Sequence, residues 1–443
     1  MKKFILPLVT IILLVYSIKA QTNEFLPLSR YGFGSMTRTY SPFSQACGHA
    51  GSAYTQIDEF NPLNPATLGF LKVTDAEIGY NIKYKSIRDN QTSINDLSVT
   101  LSYIQIGIPL RNSINQLLER KEYKHTYGLS FGIMPVSSTS YNYQVNDSNT
   151  VGATVRKLTG SGGLNQFMVG FGYRYKKISA GLNLAYIFGN LKFEQVFYLR
   201  DQFPGAKDYY TDRYFGSGFR PQIGFIYQEI LNSAEFKKDA TKHGKSLNVS
   251  LVISAPSSLR MNQYSIHYAE LLLGNVATII DTLSFKENNL TNSTLPLELT
   301  AGLSYNHKDH YGAVVDYALQ NWSSATLYEG AKGNFINESR ISGGLWLRPE
   351  QNGFGSILKR SQYRVGAFYE SGYLKVKNEI LQQYGLTLGM SSTFAFQRQS
   401  GTINLGLEFG KMSVSNLINE DYFKVNLGVR LNDNEWFLKR RYD

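Results

Sequence analysis

Residues 166–188 read QFMVGFGYRYKKISAGLNLAYIF, and the periodicity of this stretch decides the fold class. Successive side chains of a strand point to opposite faces, so Phe167, Val169, Phe171, Tyr173 and Tyr175 share one face, and Gln166, Met168, Gly170, Gly172 and Arg174 share the other. After Lys176-Lys177 the pattern resumes, with Ile178, Ala180, Leu182, Leu184, Tyr186 and Phe188 opposing Ser179, Gly181, Asn183, Ala185 and Ile187. Each run has the ~9–11 residues needed to cross a bilayer at a tilt, against the ~5–6 usual in globular sheets. The second face is small and polar, as suits a lumen, and the aromatics gather near strand ends, as suits interfacial girdles. Lipid cannot satisfy free backbone groups, so such a sheet must close on itself. The expected fold is all-β, a transmembrane antiparallel barrel.

The same alternation marks fourteen candidate strands, at 74–85, 96–108, 126–145, 164–175, 178–188, 219–229, 246–254, 295–306, 311–320, 338–347, 363–372, 383–396, 401–410 and 422–431. An even count returns both ends of the barrel to the periplasmic side. Long connections follow the third, fifth, seventh and ninth strands, notably 255–294, and short ones follow the fourth, eighth and twelfth, as expected for external loops and periplasmic turns; 109–125, 230–245 and 348–362 are exceptions on the short side, read as a short helix in 231–245 or a strand count off by a pair. Trp346 and Met168 are expected to face the lumen, with Gln166, Asn183, Glu298, Asn404, Glu408 and Asn426.

Composition agrees. Among 443 residues, 42% are hydrophobic and 18% charged, and 31 Tyr, 26 Phe and 3 Trp exclude a disordered chain. After residue 20 there is no apolar run long enough for a helical span. Cys47 is the lone cysteine, which excludes a disulfide scaffold or a thiolate metal site. Residues 1–20 read as an export signal: Lys2 and Lys3, an apolar core from Phe4 to Tyr16, and cleavage near Ala20. Without them 42 basic and 34 acidic residues leave a net charge of +8. Anionic lipid headgroups suit that surplus, and an exported barrel has no call for nucleic acid. Residues 21–73 do not alternate; their glycines, prolines and apolar side chains predict a compact plug inside the lumen. The barrel should span 74–431, leaving 432–443, with Lys439, Arg440 and Arg441, as a basic periplasmic tail that meets lipid phosphate.

The stretch Asn61-Pro62-Leu63-Asn64-Pro65-Ala66-Thr67-Leu68 resembles the Asn-Pro-Ala signature of the FadL/TodX family of outer-membrane transporters of fatty acids and aromatic hydrocarbons. Leu295-Pro296-Leu297-Glu298-Leu299 at the start of the eighth strand and the ending Asn434 to Tyr442 are similar to members of a divergent branch. The resemblance implies passive uptake of a hydrophobic small molecule without a cofactor, by plug rearrangement and a lateral opening at a kink in the third strand. Met134 and Pro135 are the candidates for that kink, since proline removes a ladder donor; the bland alternative is a bulge near the rim. For Asn64, Pro65 and Ala66 the bland reading is a turn that seats the plug. The implied partners are outer-membrane lipids and a hydrophobic ligand. In the alternative, also drawn from this superfamily, the barrel has lost transport and is a structural subunit of an envelope secretion or assembly machine, with other envelope proteins as partners.

Enzymatic readings fare poorly. Gly128-Leu129-Ser130-Phe131-Gly132 has nucleophile-elbow spacing but lies in an alternating strand, whereas that motif needs a strand-to-helix turn. The six histidines are dispersed, and His307 and His310 flank a turn rather than forming a metal cluster. A transporter should show an apolar pocket with a few polar anchors. A scaffold should show a filled lumen and an exposed patch at one rim.

Overall fold

The computed structural model describes residues 24–435, except 39, 90–91, 112–113, 116–123, 150–151, 200–205, 232–243, 274–275, 329–332, 351–355, 377, 397–398 and 416. The export signal and the basic cluster at 439–441 lie outside the described residues.

Fourteen antiparallel strands form the wall: β2 (Thr74–Arg88), β3 (Ser93–Pro109), β4 (His125–Asn149), β5 (Gly152–Tyr175), β6 (Ile178–Leu199), β7 (Ala206–Ile230), β8 (Lys245–Ser254), β11 (Glu298–His307), β12 (Tyr311–Gln320), β13 (Glu338–Leu347), β14 (Gln362–Val376), β15 (Glu379–Phe396), β16 (Gln399–Val414) and β17 (Ile418–Asp433). A two-residue strand, β1 (Ser35–Met36), precedes them. β17 pairs with β2 from Asn419↔Arg88 to Asp433↔Thr74, which closes the barrel. The end carrying Thr74 and Asp433 is called here the base, and the opposite end the crown.

Outward positions carry Phe167, Phe171, Leu182, Leu184, Val249, Leu251, Leu303, Leu345, Leu386 and Val429, all exposed. Leaving so many large apolar side chains in water would be costly, and a lipid belt resolves it. Inward positions are small or polar, and residues 24–72 occupy the space they enclose. Ser41 caps a short helix, Pro42–Ala46, accepting from the Ser44 amide at 3.2 Å. Asn64 caps a 3-10 turn, Pro65–Phe70, accepting from the Ala66 amide at 3.0 Å.

The sequence reading is corrected at the crown. Residues 255–294 are not a loop: β9 (Ser257–Leu273) and β10 (Val276–Leu295) form a hairpin ribbon that leaves the wall, while β8 pairs directly with β11 from Lys245↔His307 to Ser254↔Glu298. Leu295 therefore ends the ribbon rather than starting a wall strand, because Pro296 has no N–H to donate to a ladder. β9 lies along the crown half of β7, from Ala206↔Leu271 to Ser217↔Arg260. β4 to β7 also run on as tall strands of 22–25 residues each, past the limits read from alternation. Above the lipid both faces of a strand meet water or protein, so the two-residue pattern no longer has a cause there. Val276 to Asn288 are exposed on both faces of β10.

Candidate functional site

Among the described residues the lumen is filled in three layers. At the centre, Arg38 reaches three wall carboxylates: Glu338 in a short contact, Glu370 at 2.7 Å and Glu298 at 3.8 Å. Arg220 joins Glu298 at 3.4 Å, and Arg340 donates to the Tyr40 hydroxyl. These charges line a cavity that leaves about 160 Å³ for the centres of water-sized molecules, with Gln166, Met168, Asn183 and Asp316. Arg38, Arg220 and Arg340 each keep an unbonded Nε, which makes the cavity a place for water or polar groups rather than for a hydrocarbon.

Above it an aromatic cap closes the crown. Trp322 stacks on Tyr373 at 4.3 Å, Tyr214 on Tyr328 at 4.0 Å, and Phe33 meets Tyr328 edge-on at 5.9 Å. Below it the plug is bolted to the wall by polar bonds. Asp316 accepts from the amides of Gly51 and Ser52 at 2.9 and 2.8 Å. His49 lies 3.1 Å from Glu408, which also holds Lys424 at 2.5 Å; burial pushes the imidazole pKa down while Glu408 opposes that shift. Arg430 pairs with Glu59 at 2.8 Å, and the Asn432 amide donates to the Asp58 carbonyl at 2.7 Å. The contact leaves no slack: a Cβ at Gly366 would lie 2.2 Å from the Cys47 carbonyl carbon. Burial drives the Cys47 thiol up to about 12, so it is inert.

Each residue singled out from sequence has a definite place. Asn64 accepts from Ala66 and donates to the Ser52 carbonyl at 2.9 Å, and Pro65 lies against Gly181 of the wall, where a Cβ would come within 2.3 Å. Asn64, Pro65 and Ala66 are all fully buried. Trp346 points inward against Phe43, Cys47 and Tyr54, and Met168 against Phe60, Leu68 and Met134. Pro135 pairs with Asn165 and Ser137 with Leu164, so Val136 is bulged out of register. At this level the wall parts. β3 and β4 pair only from Pro109↔Gly128 to Ile104↔Ile133.

The N-terminal segment fills the slot toward the crown. β1 pairs with Ser137 and Ser138 of β4, and the Leu26 amide donates to the Ser140 carbonyl at 2.6 Å. On the other lip the Phe25 amide donates to Asp96 at 2.9 Å, and Glu24 meets Lys83 and Lys85 at 2.9 and 2.8 Å. Burial alone would raise the Glu24 pKa, but these two ammonium groups overcome it and hold the carboxyl near 2. Ser130 is buried in mid-strand, and no group of three or more metal-ligating side chains occurs among the described residues.

The central charge cluster was missed because its members lie up to 332 positions apart. A signal existed: the inward faces carry Glu298, Glu338 and Glu370, and between residues 24 and 71 the only cations are Arg30 and Arg38.

A family model described as BamG matches residues 1–443. No curated protein matches the sequence. Among solved structures, the chain is similar to a Pseudomonas aeruginosa FadL homologue, with a TM-score of 0.57 at 10% identity over 91% of this chain and 99% of that one. It is similar to the Pseudomonas putida toluene transporter TodX, with 0.54 at 13% over 90% and 99%, and to the CymD monoaromatic hydrocarbon channel, with 0.53 at 15% over 88% and 97%. At such identities the likeness is one of fold: a FadL-like barrel.

Proposed function

The chain belongs to the BamG family, and from that premise we propose that it is an exported outer-membrane barrel with the fold of hydrophobic-compound channels whose filled, charge-lined lumen serves a structural role, as a subunit of an envelope assembly or secretion machine. The observation that carries this is the Arg38 cluster. A conduit for fatty acids or aromatics should offer an apolar path with a few polar anchors, whereas the central cavity sets three guanidiniums and four carboxylates among its apolar lining residues such as Met134, Val136 and Met168. The crown supplies what a docking subunit needs, since Val276, Ile279, Ile280, Leu283 and Phe285 are 54–66% exposed on a ribbon that stands clear of the lipid belt.

One observation favours a second reading, passive uptake of a hydrophobic small molecule. Among the described residues, the segment 24–37 lies along the slot between β3 and β4 beside Met134 and Pro135, so its withdrawal would open a lateral path from the cavity to the bilayer. Native mass spectrometry of the gently extracted protein separates the two. The structural role expects a stoichiometric complex with other envelope proteins and no small molecule. A lone barrel carrying a fatty-acid-like or aromatic mass would refute it in favour of uptake.

A further inference from the structure

A second chamber lies at the base, separate from the central cavity, lined by Tyr54, Gln362, Arg348, Arg360, Arg364 and Arg430, with Asp58 and Glu59 at its side. Arg430 is met by Glu59 at 2.8 Å and by Asp75 at 3.8 Å. Arg364 is not met. It is only 5% exposed, its Nη2 donates to Gln362 at 2.7 Å, and its guanidinium lies 5.0 Å over the Phe43 ring. Its Nε and Nη1 are buried with no hydrogen-bond partner, and no carboxylate pairs with it among the described residues. A buried cation with idle donors is costly unless an anion completes it. Tyr54 points the same way, because its hydroxyl accepts from Gln56 at 2.5 Å and from Gln362 at 3.3 Å, leaving its own proton to donate.

We propose that this chamber is a phosphate-group site, anchored by Arg364 and closed by Arg348 and the Tyr54 hydroxyl. The space leaves about 20 Å³ for the centres of water-sized molecules, too little for an acyl chain, so a phosphate group sits across the mouth with an oxygen in the chamber rather than wholly inside it. Guanidiniums approaching from β14, through Arg364, and from just beyond β13, through Arg348, suit a tetrahedral, doubly charged group better than a planar carboxylate. The mouth faces the base, so the group arrives from that side, as free phosphate or as the head of a phosphorylated lipid.

The test uses the full-length protein in phosphate-free micelles at constant ionic strength, with thermal unfolding and isothermal titration as readouts. Inorganic phosphate and a short-chain phosphatidic acid are the two probes. Saturable binding of either supports the site, and the probe that binds identifies the source. Arg364→Gln should weaken binding about tenfold or more, the loss expected for a charge-assisted contact. Arg348→Gln, half exposed at the rim, gives the same test should Arg364→Gln fail to fold. Failure of wild-type protein to bind either probe, or unchanged affinity in both variants, overturns the proposal.

Discussion

Replacing Arg38 with methionine keeps most of the side chain's length but removes the cation shared by Glu298, Glu338 and Glu370. Three carboxylates then face one another in a closed space, with Arg220 beside Glu298 as the nearest remaining counter-charge. Breaking a buried ion pair by deleting one partner costs about 3–5 kcal/mol. Arg38 is about 20% exposed and Glu338 only 3%, so that range applies here to unseating of the plug. At about 1.4 kcal/mol per decade, the unseated fraction should rise by roughly two to nearly four decades. Cys47 reads this directly: it is the only thiol, fully buried between plug and wall, and unable to ionise while seated. Its maleimide labelling rate at neutral pH should rise by that factor in Arg38→Met. Adding Glu338→Gln and Glu370→Gln should return most of it, because a neutral cluster no longer needs the cation. An Arg38→Met rate within about twofold of wild type would refute the reasoning, as would a triple variant that labels as fast as the single one.

Gly366→Val should also expose Cys47 to labelling while the barrel stays folded on gels that resolve heat-modifiable mobility, since the added carbon collides with plug backbone rather than with the wall. For Glu24 the folded carboxyl lies near 2, below the ordinary 4.5. Its contribution is therefore complete above about pH 4.5 and fades as pH falls toward 2. Pepsin nicking near Phe25 should accelerate between pH 4 and 2.5, and Glu24→Gln should be nicked at both. Trp346→Ala should lower the stability of the plugged barrel by roughly 3–5 kcal/mol, measured in urea, because the indole fills the interface with Phe43 and Tyr54. Excising residues 266–285 from the ribbon should leave barrel folding intact, since β8 and β11 pair without it, but should release envelope partners in native mass spectrometry.

The wall was legible in the sequence and the interior was not. Segments such as 178–188 and 422–431 alternate because lipid on one side and lumen on the other select opposite chemistries at every second residue, and all fourteen strands were found on that ground. The same cause explains the failure at 255–294. A ribbon wetted on both faces has no reason to alternate, and Thr, Asn and Ser dominate the second half of β10. Gly274-Asn275, a hairpin dipeptide between two β-rich runs, was the readable trace of it. The central cluster was hidden differently. Sequence placed Glu298 on an inward face, but only closure of the barrel brings β11, β13 and β14 to one cation from the N-terminal segment.

The seam between β17 and β2 also bears on how the chain is made. β17 is the last wall strand to leave export, and two of its inward side chains, Arg430 and Asn432, grip Glu59 and Asp58 from the segment that left first. Lys424, on the same strand, steadies the Glu408 that holds His49. In a barrel closed around an empty lumen, Arg430 would keep Asp75 and Glu77 but lose its shortest ion pair, with Glu59. The strand that closes the seam thus bonds directly to the N-terminal segment, so closure of the barrel and seating of that segment are thermodynamically coupled, each supplying contacts the other uses.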